Sequence, residues 1–241
     1  YNCTKLSEVG YPASWTVTWD YYNRINNYAD SYPDYRSPFE GCTSLKEITI
    51  DEGVAAIPKQ AFRGHTGLET VVLPESLDTI DAYAFYGCSG LKSIKADGSL
   101  KTINDSAFSG CTGLKTVELN EGLETINSSA FANCSALTGI ALPGSLTKIG
   151  ESAFSGCSGL KSIGIPDGVR SIFGSVFNNC TGLTEVNLPD TLTTIYAYAF
   201  QNCTALESID IPDSVTTMAA RAFYNCTKLS EVGYPASWTV T

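Results

Sequence analysis

The chain has 241 residues and a formal net charge of −10, with 15 Lys and Arg against 25 Asp and Glu. The basic residues are scattered, so the sequence lacks the basic stripe that a phosphate backbone requires, and we expect no nucleic acid among the partners. No apolar run approaches the roughly eighteen residues of a membrane-spanning helix, so we also expect no membrane span.

The first segment of the chain duplicates the last. Residues 1–18, YNCTKLSEVGYPASWTVT, recur letter for letter as residues 224–241. Self-similarity over a whole segment indicates repetition. Two explanations stay open: the protein holds tandem copies of a larger block, or its ends were made identical on purpose.

Residues 18–37, TWDYYNRINNYADSYPDYRS, are an insertion without the pattern that fills the rest of the chain. The spacing of Tyr21, Ile25 and Tyr28 places them on one face of a helix. Pro33 would end that helix, so a short helix is predicted. The aromatic rings either form a recognition surface or clamp the insertion to the rest of the fold. The candidate ligand-binding residues are Trp19, Tyr21, Tyr22, Tyr28, Tyr32 and Tyr35.

From Phe39 to Phe223, a phenylalanine recurs every 23 residues, nine times in all. A strict period of this length means that each unit is one turn of a solenoid stacked on its neighbours. We therefore predict a mainly β repeat solenoid that forms one domain over residues 1–241. The regular repeats cover 39–241, and a long first unit carries the insertion at about 18–37. Eight steps of 23 and one of 39 give the 223-residue offset of the duplicated ends (224 − 1 = 223).

Aligned on its phenylalanine, a typical unit reads A-F-x-G/N-C-S/T-x-L-x-x-I-x-L-P-x-x-L-x-x-I-x-x-x. The L-x-x-I-x-L part ends in period-two alternation and predicts a strand with one buried face, which proline then ends. A second apolar pair, such as Leu192 and Ile195, predicts the opposite wall of the turn. Only Gly or Asn precedes the cysteine, so we predict a positive φ there in every turn.

The nine cysteines all occupy one repeat position. Parallel side chains on stacked turns lie about 4.8 Å apart, farther than the usual Cβ separation of a disulfide, so we predict a ladder of small buried thiols. His65 replaces cysteine in one turn and is the only histidine, so histidine-based catalysis would have to use it. A zinc site with Cys42 and Cys88 would lack a recognised spacing and a fourth ligand. We predict no enzymatic activity, no catalytic residue, no metal and no cofactor.

The motifs C-x-x-L-x-x-I-x-L-P and L-x-x-I-x-x-x-A-F-x-x-C occur in nearly every unit. With them the chain resembles the BspA-like, or treponemal-type, leucine-rich repeats over all but the insertion. The resemblance implies a right-handed superhelix with a parallel concave sheet and little or no helix on the other side. It also implies a bacterial surface or secreted protein, or one from a host-associated protist, often involved in adhesion or extracellular protein binding.

The outward strand positions form columns of mostly short, polar residues on the concave sheet, the default binding surface of such a solenoid. These columns carry no aromatic track and no block of charge. A merely solvated face and a binding groove are therefore both open. The candidate residues of the concave face are Glu47, Thr49, Lys95, Glu118, Glu185, Asn187 and Asp210.

We expect a non-enzymatic extracellular or cell-surface module for protein interaction or adhesion. The alternatives are a carbohydrate-binding module that uses the aromatic insertion and a structural spacer within a longer repeat array. Ends without a polar cap would expose apolar surface and sheet edge, which favours end-to-end self-association.

Overall fold

The computed structural model describes residues 8–11, 39, 42 and 44–235. Over these residues the chain winds as a parallel β-solenoid of about eight turns, with 23-residue spacing and no helix. In chain order the strands are β1 (Glu8–Tyr11), β2 (Glu47–Ile50), β3 (Ala56–Ile57), β4 (Thr70–Val72), β5 (Thr79–Ile80), β6 (Ser93–Lys95), β7 (Thr102–Ile103), β8 (Thr116–Glu118), β9 (Thr125–Ile126), β10 (Lys148–Ile149), β11 (Ser162–Gly164), β12 (Ser171–Ile172), β13 (Glu185–Asn187), β14 (Thr194–Ile195), β15 (Ser208–Asp210), β16 (Thr217–Met218) and β17 (Glu231–Gly233).

The strands stack in two walls. The longer ones form the first sheet, hydrogen-bonded as β1-β2-β4-β6-β8, β11-β13 and β15-β17, with a single parallel bridge between Gly139 and Ser162. The two-residue strands form the opposite wall as β3-β5-β7-β9-β10 and β12-β14-β16. The predicted strand and opposite wall are confirmed in the described turns, except that the first wall has only an isolated bridge at Gly139.

The register of both walls follows the repeat. Glu47 pairs with Thr70, and Thr79 pairs with Thr102, each a step of 23 residues. Between β1 and β2, Glu8 pairs with Glu47, a step of 39 residues (47 − 8 = 39). The long unit therefore brings its two strands side by side in parallel, as the regular units do.

Phenylalanine rings fill the interior as one continuous stack. Neighbouring rings from Phe39 to Phe223 have centroids 5.1–5.9 Å apart and nearly parallel planes. The seven rings from Phe62 to Phe200 are fully buried, with the Leu and Ile columns of both walls around them. Stacked aromatic pairs contribute beyond the area that they bury, so each turn stabilises the next.

The buried cysteines form the predicted ladder. The seven from Cys88 to Cys226 are free thiols, and all but Cys226 are fully buried. Each donates to the phenylalanine carbonyl of the preceding turn, as Cys111 Sγ does to Phe85 O at 3.1 Å. Burial raises the pKa of Cys111 to about 12. The Cys111 thiol therefore stays protonated near neutral pH and acts as a weak hydrogen-bond donor as well as an apolar filler.

Two positions in each turn have positive φ. At the predicted Gly or Asn position φ lies between 59° and 77° in every described turn from Gly64 to Asn225. The second position lies two residues before each phenylalanine and was not predicted, because its residues have no shared preference for this conformation. Its members are Gln60, Tyr83, Ser106, Ser129, Ser152, Ser175, Tyr198 and Arg221, with φ between 54° and 63°.

Hydrogen bonds between turns accompany this second position. Tyr83 N donates to Asp105 O at 2.9 Å, and Phe85 N donates to Ala107 O at 2.7 Å, so the turns are bonded to each other on this side as well. The left-handed conformation costs a non-glycine residue roughly 1 kcal/mol, a cost that these bonds offset.

Candidate functional site

The first sheet turns alternate side chains into the interior and out to solvent. Ile48, Ile94 and Val117 are buried, and the residues on either side of each are exposed. The residues predicted for the concave face all lie at exposed outward positions of this sheet: Glu47, Thr49, Lys95, Glu118, Glu185, Asn187 and Asp210. We call the outward side of the first sheet the open face.

Some of these residues are neighbours, but together they form no compact cluster. Lys95 lies beside Glu118 in the register of β6 and β8. Asn187 Nδ2 donates to Glu185 Oε1 at 3.0 Å. From β2 to β15 the residues spread over seven strand spacings of about 4.8 Å, or about 34 Å in all. Such an arrangement fits an extended contact surface better than an active site.

The open face is acidic. From β2 to β17 its two outward columns carry five carboxylates and one ammonium group, that of Lys95. Lys95 Nζ lies 2.6 Å from Asp97 Oδ2, and this hydrogen bond and the carboxylate charge raise the pKa of Lys95. Because that cation already has a partner, the face presents a net negative field. The carboxylates are Glu47, Glu118, Glu185, Asp210 and Glu231.

The middle of the open face has only very small side chains or none. Gly139, Ala141, Ser162 and Gly164 lie there on adjacent turns. A Cβ added at Gly139 or Gly164 would meet no atom within 4 Å, so packing does not require glycine at either position. Bare backbone on a sheet face allows another chain to approach closely.

A row of charges borders the open face. Lys46 and Lys92, each one residue before an outward position, both bond the carboxylate of Glu69 between them. These hydrogen bonds, together with the two lysine charges, lower the pKa of Glu69 to about 2. Lys115 and Lys161 lie in the same row, which has four ammonium groups against the carboxylates of Glu69 and Glu207 and is therefore net basic beside the acidic columns.

Two groups of aromatic residues lie on the turns between the walls, outside the open face. Phe173 and Tyr196 stack with centroids 5.3 Å apart. Arg221 Nη1 donates to the Tyr198 hydroxyl at 3.1 Å, and the Arg221 guanidinium lies 5.9 Å from the Tyr224 ring centroid. Sequence reasoning missed this group, although Phe173 and Tyr196 share one repeat column, as do Tyr198 and Arg221.

The second aromatic group is smaller. Tyr83 and Tyr86 meet edge to face at 5.8 Å, and Arg63 lies 5.2 Å from the Tyr86 ring centroid. Phe173 and Tyr196 cover each other's faces, and Tyr83 and Tyr86 meet at a steep angle. Neither pair forms the coplanar row of exposed rings that would favour sugar stacking.

The remaining predicted positions are placed as follows. The six aromatic candidates of the insertion, Trp19, Tyr21, Tyr22, Tyr28, Tyr32 and Tyr35, lie outside the described residues. His65 is buried and meets Phe39 edge to face at 6.5 Å. Among residues 44–235 and the few described before them, no three His, Cys, Asp or Glu side chains are grouped to hold a metal. The same residues include no helix that could cross a membrane.

Comparison with known families agrees with this geometry. A family profile described as "BspA type Leucine rich repeat region" matches residues 35–161 and 154–241 in six copies. The chain belongs to this family. Leucine-rich repeat proteins of this kind are typically non-catalytic and suggest a module for protein interaction.

Two solved structures of bacterial leucine-rich repeat proteins resemble this BspA-type chain. The Treponema pallidum leucine-rich repeat protein is 26% identical, with 76% of this chain and 78% of that one covered and a TM-score of 0.56. A leucine-rich cell surface protein of Faecalibacterium prausnitzii is also 26% identical, with 83% and 76% covered and a TM-score of 0.52. No curated protein matches the chain significantly. The predicted repeat family and solenoid fold are confirmed.

Proposed function

We propose that the chain is an extracellular or cell-surface adhesion module. Its open face binds a protein partner, and the partner supplies basic side chains to the contact. The observation that carries the proposal is the exposed outward side of the first sheet, which carries carboxylates on both sides of a middle with small uncharged residues. The cell-surface description of the Faecalibacterium prausnitzii protein supports the location.

The chemistry of the open face favours an extended basic segment. Five carboxylates along the face attract positive charge and would set the orientation of a bound chain. At about 3.3 Å per residue, a strand-like segment of roughly ten residues spans about 34 Å. The bare backbone around Gly139 and Gly164 leaves room for that segment to lie close to the sheet.

Carbohydrate binding remains the alternative prediction. It would depend on the aromatic residues of the insertion, since the two outward columns of the open face contain no aromatic residue. A structural spacer is the third prediction, in which neither surface binds a ligand. One binding screen separates the three.

The screen compares four forms of the chain on immobilised extracellular matrix proteins and polysaccharides. The first is the intact chain, and the second carries Glu118→Gln and Glu185→Gln on the open face. The third is a matched control with Asp167→Asn and Asp190→Asn, which removes two exposed carboxylates from the turns beyond the strands. In the fourth, residues 19–37 are replaced by a short regular turn.

We expect the open-face variant to bind a basic protein roughly tenfold more weakly and the matched control to bind as the intact chain does. Binding lost only in the fourth form would move the site to the insertion and overturn the proposal. Binding to polysaccharide alone would favour the carbohydrate module. No binding by any form would leave the spacer.

A further inference from the structure

The last described turn differs from the turns before it in how much apolar surface it exposes. Val232 in β17 is 42% exposed, whereas Ile209 at the same position of the preceding turn is 3% exposed. Leu229 and Cys226 are only partly buried, although their equivalents one turn earlier are fully buried. Within the described residues, β17 has a hydrogen-bonded neighbour on one side only, namely β15. Among the described residues, this turn therefore combines a strand that has one partner with apolar side chains that are exposed.

The partner that fits this edge can be read from the other end of the chain. Residues 1–18 and 224–241 are identical, so β1 and β17 share the sequence Glu-Val-Gly. In β1 this sequence pairs in parallel with β2: Glu8 with Glu47, Val9 with Ile48 and Gly10 with Thr49. The structure thus already shows the sequence of β17, in the form of β1, paired with β2.

We propose that β17 of one molecule takes the place of β1 against β2 of a second copy, so that the copies join head to tail by exchanging identical segments. The register is that of β1: Glu231 opposite Glu47, Val232 opposite Ile48 and Gly233 opposite Thr49 of the second copy. The exchange of an identical element is a low-cost route to association, because the contacts that are lost are made again by the same residues.

Exchange explains the duplication better than simple addition of β17 onto β1. Addition would place two copies of Glu-Val-Gly side by side, so that Glu231, Glu8 and Glu47 would stand in one row of three like charges on adjacent strands. In the exchanged contact Glu231 lies opposite Glu47 alone, which repeats the single Glu–Glu pair of β1 and β2 and adds no further like charge. The gain is the burial of the exposed apolar side chains of the last turn. Because the contact joins two different surfaces, it leads to open chains of molecules rather than closed dimers.

The test uses the 241-residue chain and one substitution at two positions that have the same sequence around them. Val9 pairs in register with Ile48, which is fully buried, so Val9→Lys should weaken the pairing of β1 with β2 and raise self-association roughly tenfold. Val232→Lys weakens the binding of β17 to β2 of the second copy and should lower self-association by a similar factor. The double variant should associate as weakly as Val232→Lys alone. Light scattering over a wide concentration range gives the mass, and circular dichroism shows that each variant is folded.

The sign of the Val9→Lys effect decides between the two contacts. If Val9→Lys and Val232→Lys both lower association, β17 adds onto β1 and exchange is wrong. If Val9→Lys stays monomeric at every concentration, the proposal is also wrong. A synthetic peptide with the sequence of residues 1–18 should compete for β2 and lower the mass of the Val9→Lys variant. The same peptide with lysine at its ninth residue should not, and equal effects of the two peptides would contradict exchange.

Discussion

The interior of the solenoid and its open face are built from the same turns but follow opposite rules. In the interior, the same or a similar apolar residue type returns at nearly every position, as in the phenylalanine stack from Phe39 to Phe223. On the open face, the type changes from turn to turn, for example from Glu47 to Thr70 to Ser93. A side chain in the interior must match the turns above and below it, whereas an outward side chain meets mainly water. The interior therefore fixes the fold, and the open face is able to carry specificity.

The largest effect should come from breaking the interior stack in its middle. Phe131 is fully buried and stacks on Phe108 at 5.3 Å and on Phe154 at 5.6 Å. Phe131→Ala removes a ring that packs on both sides, so we expect the free energy of unfolding to fall by about 3–5 kcal/mol. Urea denaturation followed by circular dichroism measures the loss.

Phe223→Ala is the matched control for the stack. Phe223 is partly exposed, and among the described residues it stacks on Phe200 alone. The same deletion should therefore cost clearly less there than at Phe131. Equal losses at the two positions would show that a second neighbour in the stack adds no stability.

The thiol ladder should make the fold sensitive to alkali. Because burial raises the pKa of Cys111 to about 12, the folded state keeps this proton at pH values where the unfolded thiol has lost it. The contribution of Cys111 is complete below the unfolded pKa of about 8.5 and is lost as the pH rises towards 12, by up to about 1.4 kcal/mol per pH unit. Denaturation at several pH values above 8.5 measures the slope.

Cys111→Ala separates the thiol from the other groups that titrate at alkaline pH. The variant loses one thiol hydrogen bond and should be less stable than the intact chain at neutral pH. Above pH 8.5 its stability should fall less steeply, because no thiol titrates at this position. A slope identical to that of the intact chain would show that the folded state does not hold the Cys111 proton.

Two glycines test the same contrast at the level of the backbone. Gly110 has a φ of 77° in the turn beside the cysteine, where a side chain is strained, so Gly110→Ala should cost about 1–2 kcal/mol. Gly139 lies on the open face, where an added Cβ meets nothing. Gly139→Ala should leave stability unchanged or raise it by about 0.5 kcal/mol. Thermal unfolding measures both, and a large loss at Gly139 would show that the bare backbone serves the fold.

The interior could be predicted from the sequence because its rules repeat. The 23-residue period and the alternation around residues such as Val186 predict the strands and the buried stack. The Gly or Asn position predicts a positive φ because these residues favour that conformation. The second positive-φ position could not be predicted from residue type. Tyr83 and Ser106 adopt it within a backbone hydrogen-bond network between turns, which no single unit reveals.

The candidate site could be predicted only as a surface. The period places Glu118 and Glu185 outward on the first sheet, but it gives no partner, because outward residues are not selected by packing. The pairing of Lys95 with Asp97 depends on side-chain geometry beyond the end of β6, and it gives the cation of the two outward columns a carboxylate partner. The contact between Arg221 and Tyr198 could not be predicted, because the residue type in their column changes from turn to turn.

The smallest effect should be at the charged border of the open face, between Lys46, Glu69 and Lys92. Glu69→Gln removes the central carboxylate. Because the two lysines are exposed and salt screens their pairs with Glu69, we expect a small loss of stability that disappears at high ionic strength. The direction in which stability changes with pH follows from the lowered pKa of Glu69. Its contribution is present above about pH 4.5 and is lost as the pH falls towards 2, and the glutamine variant should lack this dependence. A large loss of stability that persists in salt would mean that the border supports the fold as the interior does. The contrast between interior and surface would then hold for the open face but not for its border.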